Sequence, residues 1–228
     1  MLGPKRPRVI AIPLYWINII QRDDTTILKK IYNFLKTDAN LNNSYKGKNW
    51  AYHVKSILEQ HGLGDIWLNQ TCINNHYYML IKQRILDTYS QSWYGSINNS
   101  DRLQTYSIFK HDFKLEKHLE KITDHKFRTA LTRFRISSHN LFIETGRYDN
   151  TPRSNRICKS CNMGVIESEF HFLLVCPKFR DLRKSYFTSY YCHWPDIRKF
   201  ENLMSSTSLK TIRNISKFIY FASKQRIT

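Results

Sequence analysis

The chain has 228 residues, enough for one or two domains with a sizeable core. Its 14 tyrosines, 13 phenylalanines and 5 tryptophans exclude a disordered composition. Against 18 acidic residues stand 36 lysines and arginines, a formal net charge of +18. That points to a polyanion, with nucleic acid ahead of an anionic membrane, because the chain has no long apolar run and no basic amphipathic anchor.

At the N-terminus, early positive charge precedes apolar residues, but Pro13 and Asn18 interrupt the run and no small-residue cleavage site follows. A signal peptide is therefore not expected. The basic cluster Lys5-Arg6-Pro7-Arg8 is a short match to a nuclear-localisation signal. Apolar residues from Trp16 to Leu35 read as two helices with a fresh start at Asp23-Asp24-Thr25. That acidic pair lacks the aromatic-x-Asp-Asp turn of a polymerase and reads as a helix start. Residues 37–49 read as a loop, and Trp50 to His61 as a helix ended by Gly62-Leu63-Gly64. From Cys72 to Trp93, residues Ile73, Tyr77, Ile81, Ile85, Tyr89 and Trp93 recur every four positions, the longest amphipathic helix in the chain. Residues 95–100 read as a polar turn.

Residues 101–136 divide into two or three short helices. From 125 to 160 there are eight cationic residues and two acids, a net of +6, with His139, Phe142 and Tyr148 interleaved. Cations mixed with rings suit phosphate contact and base stacking. We take Arg128, Arg133, Arg135, Arg147, Arg153 and Arg156 as the candidate nucleic-acid contacts.

The segment that follows, CKSCNMGVIESEFHFLLVC, spans residues 158–176. Cys158 and Cys161 sit two residues apart in a turn that Asn162 and Gly164 permit; His171 and Cys176 sit near the ends of a short helix N-capped by Ser168. Glu169 suits the first turn of that helix. Three thiols and an imidazole at this spacing match a closed structural zinc site. Free cysteines and a histidine in an apolar core would look similar residue by residue, but four ligands together in one segment do not. A redox CxxC is excluded by the absence of a βαβ context, and the nine-residue gap sets the module apart from the retroviral knuckle and the classical finger. Pro177 then opens a helix over 177–191, Cys192-His193 read as packing rather than spare ligands, and a last helix with a basic outer face covers 208–224. No nucleophile–base pair, paired carboxylates or phosphate-cradling loop appears, so a non-enzyme without a small-molecule substrate is expected. Five cysteines in a chain of this length, three of them in one site, suit a reducing compartment, hence an intracellular location, nuclear or cytoplasmic.

The stretch RTALTRFRISSHNLFIETGRY (128–148), with Pro152-Arg153, Arg156-Ile157-Cys158, Cys161, Gly164, Glu167, Glu169 to Leu174 and Cys176-Pro177, resembles the C-terminal region of non-LTR retrotransposon reverse transcriptases of the jockey-like, LINE type. The likeness extends over about residues 48–190. It implies a zinc-binding, nucleic-acid-holding tail without its polymerase, with Cys158, Cys161, His171 and Cys176 as zinc ligands and a separately encoded polymerase region as a possible partner. The carboxylates that hold catalytic magnesium in that family have no counterpart here. The expected architecture is mainly α: a helical connector (1–122), a basic segment and a small Cys-Cys-His-Cys module with at most a short hairpin (123–191), and a C-terminal helical segment (192–228). The expected function is RNA or DNA binding with one structural Zn2+. The alternatives are a protein-interaction or purely structural zinc module, and a non-functional retrotransposon remnant.

Overall fold

The computed structural model describes residues 8–40, 49–70, 73 and 75–227. Residues 41–48 of the loop expected over 37–49, Cys72 and most of the Lys5–Arg8 cluster lie outside these. The chain divides into two compact units, residues 1–94 and 95–228.

The first unit is built from helices α1 (Arg8–Ile20), α2 (Ile27–Asn40), α3 (Trp50–Gln60), α4 (Gly64–Leu68) and most of α5 (Asn75–Asn98). Asp23 does start a helix: its carboxylate accepts from the Thr25 amide and hydroxyl, both at 2.8 Å, turning the chain into α2. Helix α2 outlasts its expected end by four residues, to Asn40, whose side chain accepts from the Trp67 indole at 3.0 Å. Helix α3 is capped by Asn49, which accepts from the Tyr52 amide at 2.8 Å. It ends in a left-handed Gly62 (φ +69°), which lets Leu63 N–H reach back to the Leu58 carbonyl at 2.8 Å. In the core, Trp16 donates to the Tyr32 hydroxyl (2.9 Å), which donates to Gln70 (2.8 Å), while Trp16 stacks on Trp67. Each buried polar group on these rings thus has a partner. Ile73, Ile81 and Ile85 are buried as their spacing predicts. Residues 95–98 of the turn expected at 95–100 instead form the last turn of α5, where Ile97 is buried, and the weak helix propensity of Gly95 does not end the helix.

The second unit comprises the end of α5 and helices α6 (Gln104–Phe109), α7 (Lys117–Lys121), α8 (His125–Arg135), α9 (Phe142–Thr145), α10 (Arg180–Tyr186), α11 (Ser189–Cys192), α12 (Ile197–Ser205) and α13 (Leu209–Ile227). Among the described residues there is no strand; Ile157 and Ile166 form one isolated antiparallel bridge, the short hairpin in its smallest form. The mainly helical architecture with a small Cys-Cys-His-Cys cluster is as expected. One core gathers Phe109 and Ile122, Phe134 and Phe172, and Phe200 and Phe218. The sequence divisions at 122/123 and 191/192 therefore fall inside one packed unit: residues on both sides of each bury the same apolar surface. Helix α8 packs most extensively against α13. Phe218 is fully buried and meets the rings of Phe172, Phe179 and Phe187. Phe218→Ala should destabilise this unit by about 3–5 kcal/mol, read from the urea midpoint of its unfolding transition.

Candidate metal centre

Two local devices bring the four predicted ligands together. The first is the turn after Cys158. Cys158 N–H donates to the Val165 carbonyl (2.8 Å) and Glu167 N–H to the Arg156 carbonyl (2.9 Å), closing the loop on itself. Gly164 supplies the left-handed residue (φ +64°) that reverses it. The second device follows Ser168, whose hydroxyl caps the His171 amide at 3.2 Å, as the sequence predicts. The chain then forms a π-helical turn over His171–Val175, and Cys176 N–H donates five residues back to the His171 carbonyl at 2.7 Å. At 3.6 residues per turn, a step of five ends about 140° away around an α-helix; the wider π-turn reduces that angle and draws residues 171 and 176 towards one side. The carbonyls freed by this turn are taken by the buried Arg183, which donates to those of Leu173 and Cys176, both at 2.9 Å.

The result is a cluster in which the ligand atoms of Cys158, Cys161, His171 and Cys176 all lie within 4.8 Å of one another. His171 Nε2 sits 3.4 Å from Cys161 Sγ. Cys158, His171 and Cys176 are buried, Cys161 is half-buried, and none is in a disulfide. Burial raises the Cys158 thiol above its ordinary pKa and pushes Cys176 up to about 12, while it lowers His171. The pocket penalises isolated charge, so thiolates are favoured here only with a cation among them. Buried His171 Nδ1 has no hydrogen-bond partner, so Nε2, facing the thiols, is the nitrogen placed to bind an ion. The donor set thus fits a metal ion. Cys192 and His193 stand apart from the cluster: Cys192 packs against the core and His193 bonds the Ser189 carbonyl.

Two buried carboxylates flank the junction between the ligand pairs. Glu167, 1% exposed, accepts two bonds from the Arg226 guanidinium (2.6 and 2.7 Å) and one from the Phe142 amide (2.5 Å). It also lies 3.9 Å from Cys158 Sγ. Glu169 accepts from Ser137, His139 and Thr105, each at 3.0 Å. Burial alone would raise its carboxyl, but the His139 bond and its other partners hold it below the ordinary range. Sequence alone singled out neither the partner of Glu167, which comes from a helix 59 positions away, nor Arg183, which lies in the next helix and carries no signal that its side chain turns back on the carbonyls.

The six candidate arginines separate. Arg133, Arg147 and Arg153 are exposed; Arg147 pairs with Glu144, whereas the side chains of Arg133 and Arg153 make no bond among the described residues. Arg128 is half-buried and donates to the Ile122 carbonyl. Arg156 is half-buried and donates to the carbonyls of Thr151 and Ile143, crossing Gly146, where a Cβ would lie 2.9 Å from its Cγ. Arg135 is not a phosphate contact: it is buried, pairs with Glu116 at 2.9 Å, lies over the Phe109 ring and donates to the Met204 carbonyl. Residues 133 and 135 are two apart on a helix, about 200° around it, so one faces out when the other faces in.

No known protein family, curated protein or solved structure matches this chain. Among the described residues, no helix is long and apolar enough to cross a membrane.

The packing around Glu116 and Glu167 carries two expectations. His118 is buried beside Glu116 and Arg135, and burial, followed by the Arg135 charge, lowers its pKa to about 4. The unfolded chain binds that proton more readily, so this histidine's contribution is intact above about pH 6.5 and is lost as the pH falls towards 4. His118→Gln should flatten the loss of stability between pH 7 and pH 5, measured by urea unfolding at each pH. Arg226→Ala should cost about 2–4 kcal/mol by leaving Glu167 buried with no cation, and Arg226→Lys should recover only part, since an ammonium lacks the two-pronged fork. A cost below about 0.5 kcal/mol would show that water replaces the guanidinium.

Proposed function

We propose that this chain is a non-catalytic nucleic-acid-binding module whose second unit is clasped by one structural zinc ion. The observation that carries the reading is the convergence of three thiols and one imidazole within 4.8 Å in a largely buried setting. Soft sulfur donors with one nitrogen suit zinc and disfavour magnesium or calcium. Four protein donors leave no open coordination position, which supports a structural role over hydrolysis. When bound, the ion ties the turn at 158–161 to the π-turn at 171–176, and part of its binding free energy becomes folding free energy.

The partner is read from charge. A net of +18, with Arg133 and Arg153 exposed and unpaired among the described residues, supports RNA or DNA over a neutral protein surface. Descent from the tail of a non-LTR retrotransposon reverse transcriptase rests on the sequence phrase over 128–177 and is part of this proposal.

Purified protein should carry one zinc per chain by elemental analysis, and Cys176→Ser should lose most of it. A chelator should lower the melting temperature of the second unit, with recovery on adding zinc. Affinity for RNA or DNA should fall by about 10-fold or more between 50 and 200 mM salt, as phosphate neutralisation requires. Full stability after exhaustive chelation would overturn the zinc clasp; a flat salt dependence, or no binding at low salt, would overturn the nucleic-acid reading.

A further inference from the structure

Helices α8 and α13 enclose a cleft of about 220 Å3 that none of the sequence motifs points to as a whole. One wall is Ala130, Arg133 and Phe134, at the i, i+3, i+4 spacing of one face of α8; the other is the α13 face that carries Tyr220 and Lys224, and residues 138–141 join the lining. No carboxylate lines it. Arg226 and His139 are already engaged from behind, by Glu167 and Glu169, which fixes the walls. Arg133 and Lys224 have no acidic partner among the described residues. They leave the cleft with two uncompensated positive charges.

Aromatic rings adjoin those charges. Lys224 Nζ lies 4.8 Å from the centroid of the half-buried Tyr220 ring, and Phe127 meets that ring edge-on at 5.3 Å. Lys126 Nζ lies over Phe127 at 4.9 Å, and Lys217 Nζ over the same ring at 6.0 Å. The Tyr220 hydroxyl makes no hydrogen bond among the described residues. Cations spaced along a recess suit a chain of phosphates. A ring and a free hydroxyl within the same recess suit an unstacked base or sugar, which an acidic peptide does not offer. A duplex keeps its bases stacked inside and would meet only the rim.

We infer that the α8–α13 cleft holds a single nucleic-acid strand, with Arg133 and Lys224 on its phosphates and Tyr220 against a base or sugar. This rests on the nucleic-acid reading above and assigns it a place and a strandedness. It moves the interface away from the 147–156 loop, where Arg147 is paired with Glu144 and Arg153 is the exposed arginine without a bond among the described residues.

The test is fluorescence anisotropy on the full chain, with labelled oligo(dT) and oligo(U) of about 20 nucleotides and a duplex of equal length. The single strands should bind about 10-fold tighter than the duplex. Arg133→Glu and Lys224→Glu should each weaken strand binding about 10-fold, and Arg147→Glu and Arg153→Glu by no more than about 3-fold. Tyr220→Leu should weaken it about 5-fold without changing the salt slope, because it removes stacking and no charge. Circular dichroism and metal content check that each variant is folded, and Arg133→Gln and Lys224→Gln replace any charge reversal that is not. If all four reversals weaken binding equally, the cleft assignment is wrong while nucleic-acid binding stands. Tighter duplex binding, or displacement of the strand by polyglutamate at equal charge, also overturns the cleft. No binding by the unmodified chain overturns both readings.

Discussion

The second unit depends on how the residues between its two ligand pairs are pinned. Glu167 and Glu169 lie on either side of Ser168, and their carboxylates go to different partners. Glu167 reaches the Phe142 amide and the Arg226 guanidinium, while Glu169 reaches Thr105, Ser137 and His139. Buried carboxylates are tolerated only when ion pairs or hydrogen bonds replace the lost water: Glu167 has the guanidinium and an amide, and Glu169 has three hydrogen bonds. The cost of burying them fixes one register for the passage from turn to helix, and with it the positions of the four donors.

That fixing is shared by the neighbouring helix α10 and by two elements remote in the chain. Arg183 serves the carbonyls of the π-turn from α10, Arg226 serves Glu167 from α13, and Thr105 serves Glu169 from α6. The apolar core follows the same scheme, with Phe172 and Phe179 from the ligand segment packed on Phe218 of α13. A metal module that would be marginal by itself, at under twenty residues, is therefore completed by the helices around it.

What was legible in the sequence was local. The CxxC turn, the Ser168 cap, the Asp23 start and the Gly62 stop each depend on residues a few positions apart, and each appears as read. The isoleucines of α5 were legible because burial leaves a four-residue period. The continuation of α5 past Gly95 follows the same period, since Ile97 falls four residues after Trp93, but Gly95 and the polar residues around it read as a turn. Among the arginines, composition gave six equivalent cations. Only the fold shows that Arg135 and Arg156 are spent on carbonyls and a carboxylate, while Lys224, 91 positions after Arg133 in the chain, shares a cleft with it.

The pairing of Glu167 with Arg226 also imposes an order on biosynthesis. The two residues are 59 positions apart. At about 5–20 residues per second, the carboxylate emerges roughly 3–12 seconds before the guanidinium that neutralises it. Through that interval the nascent turn carries an acid beside three thiols and no arginine from the last helix. The Glu167 carboxylate takes up its buried place only when α13 brings Arg226 to it, so the closing of the last helix completes the segment between the two ligand pairs.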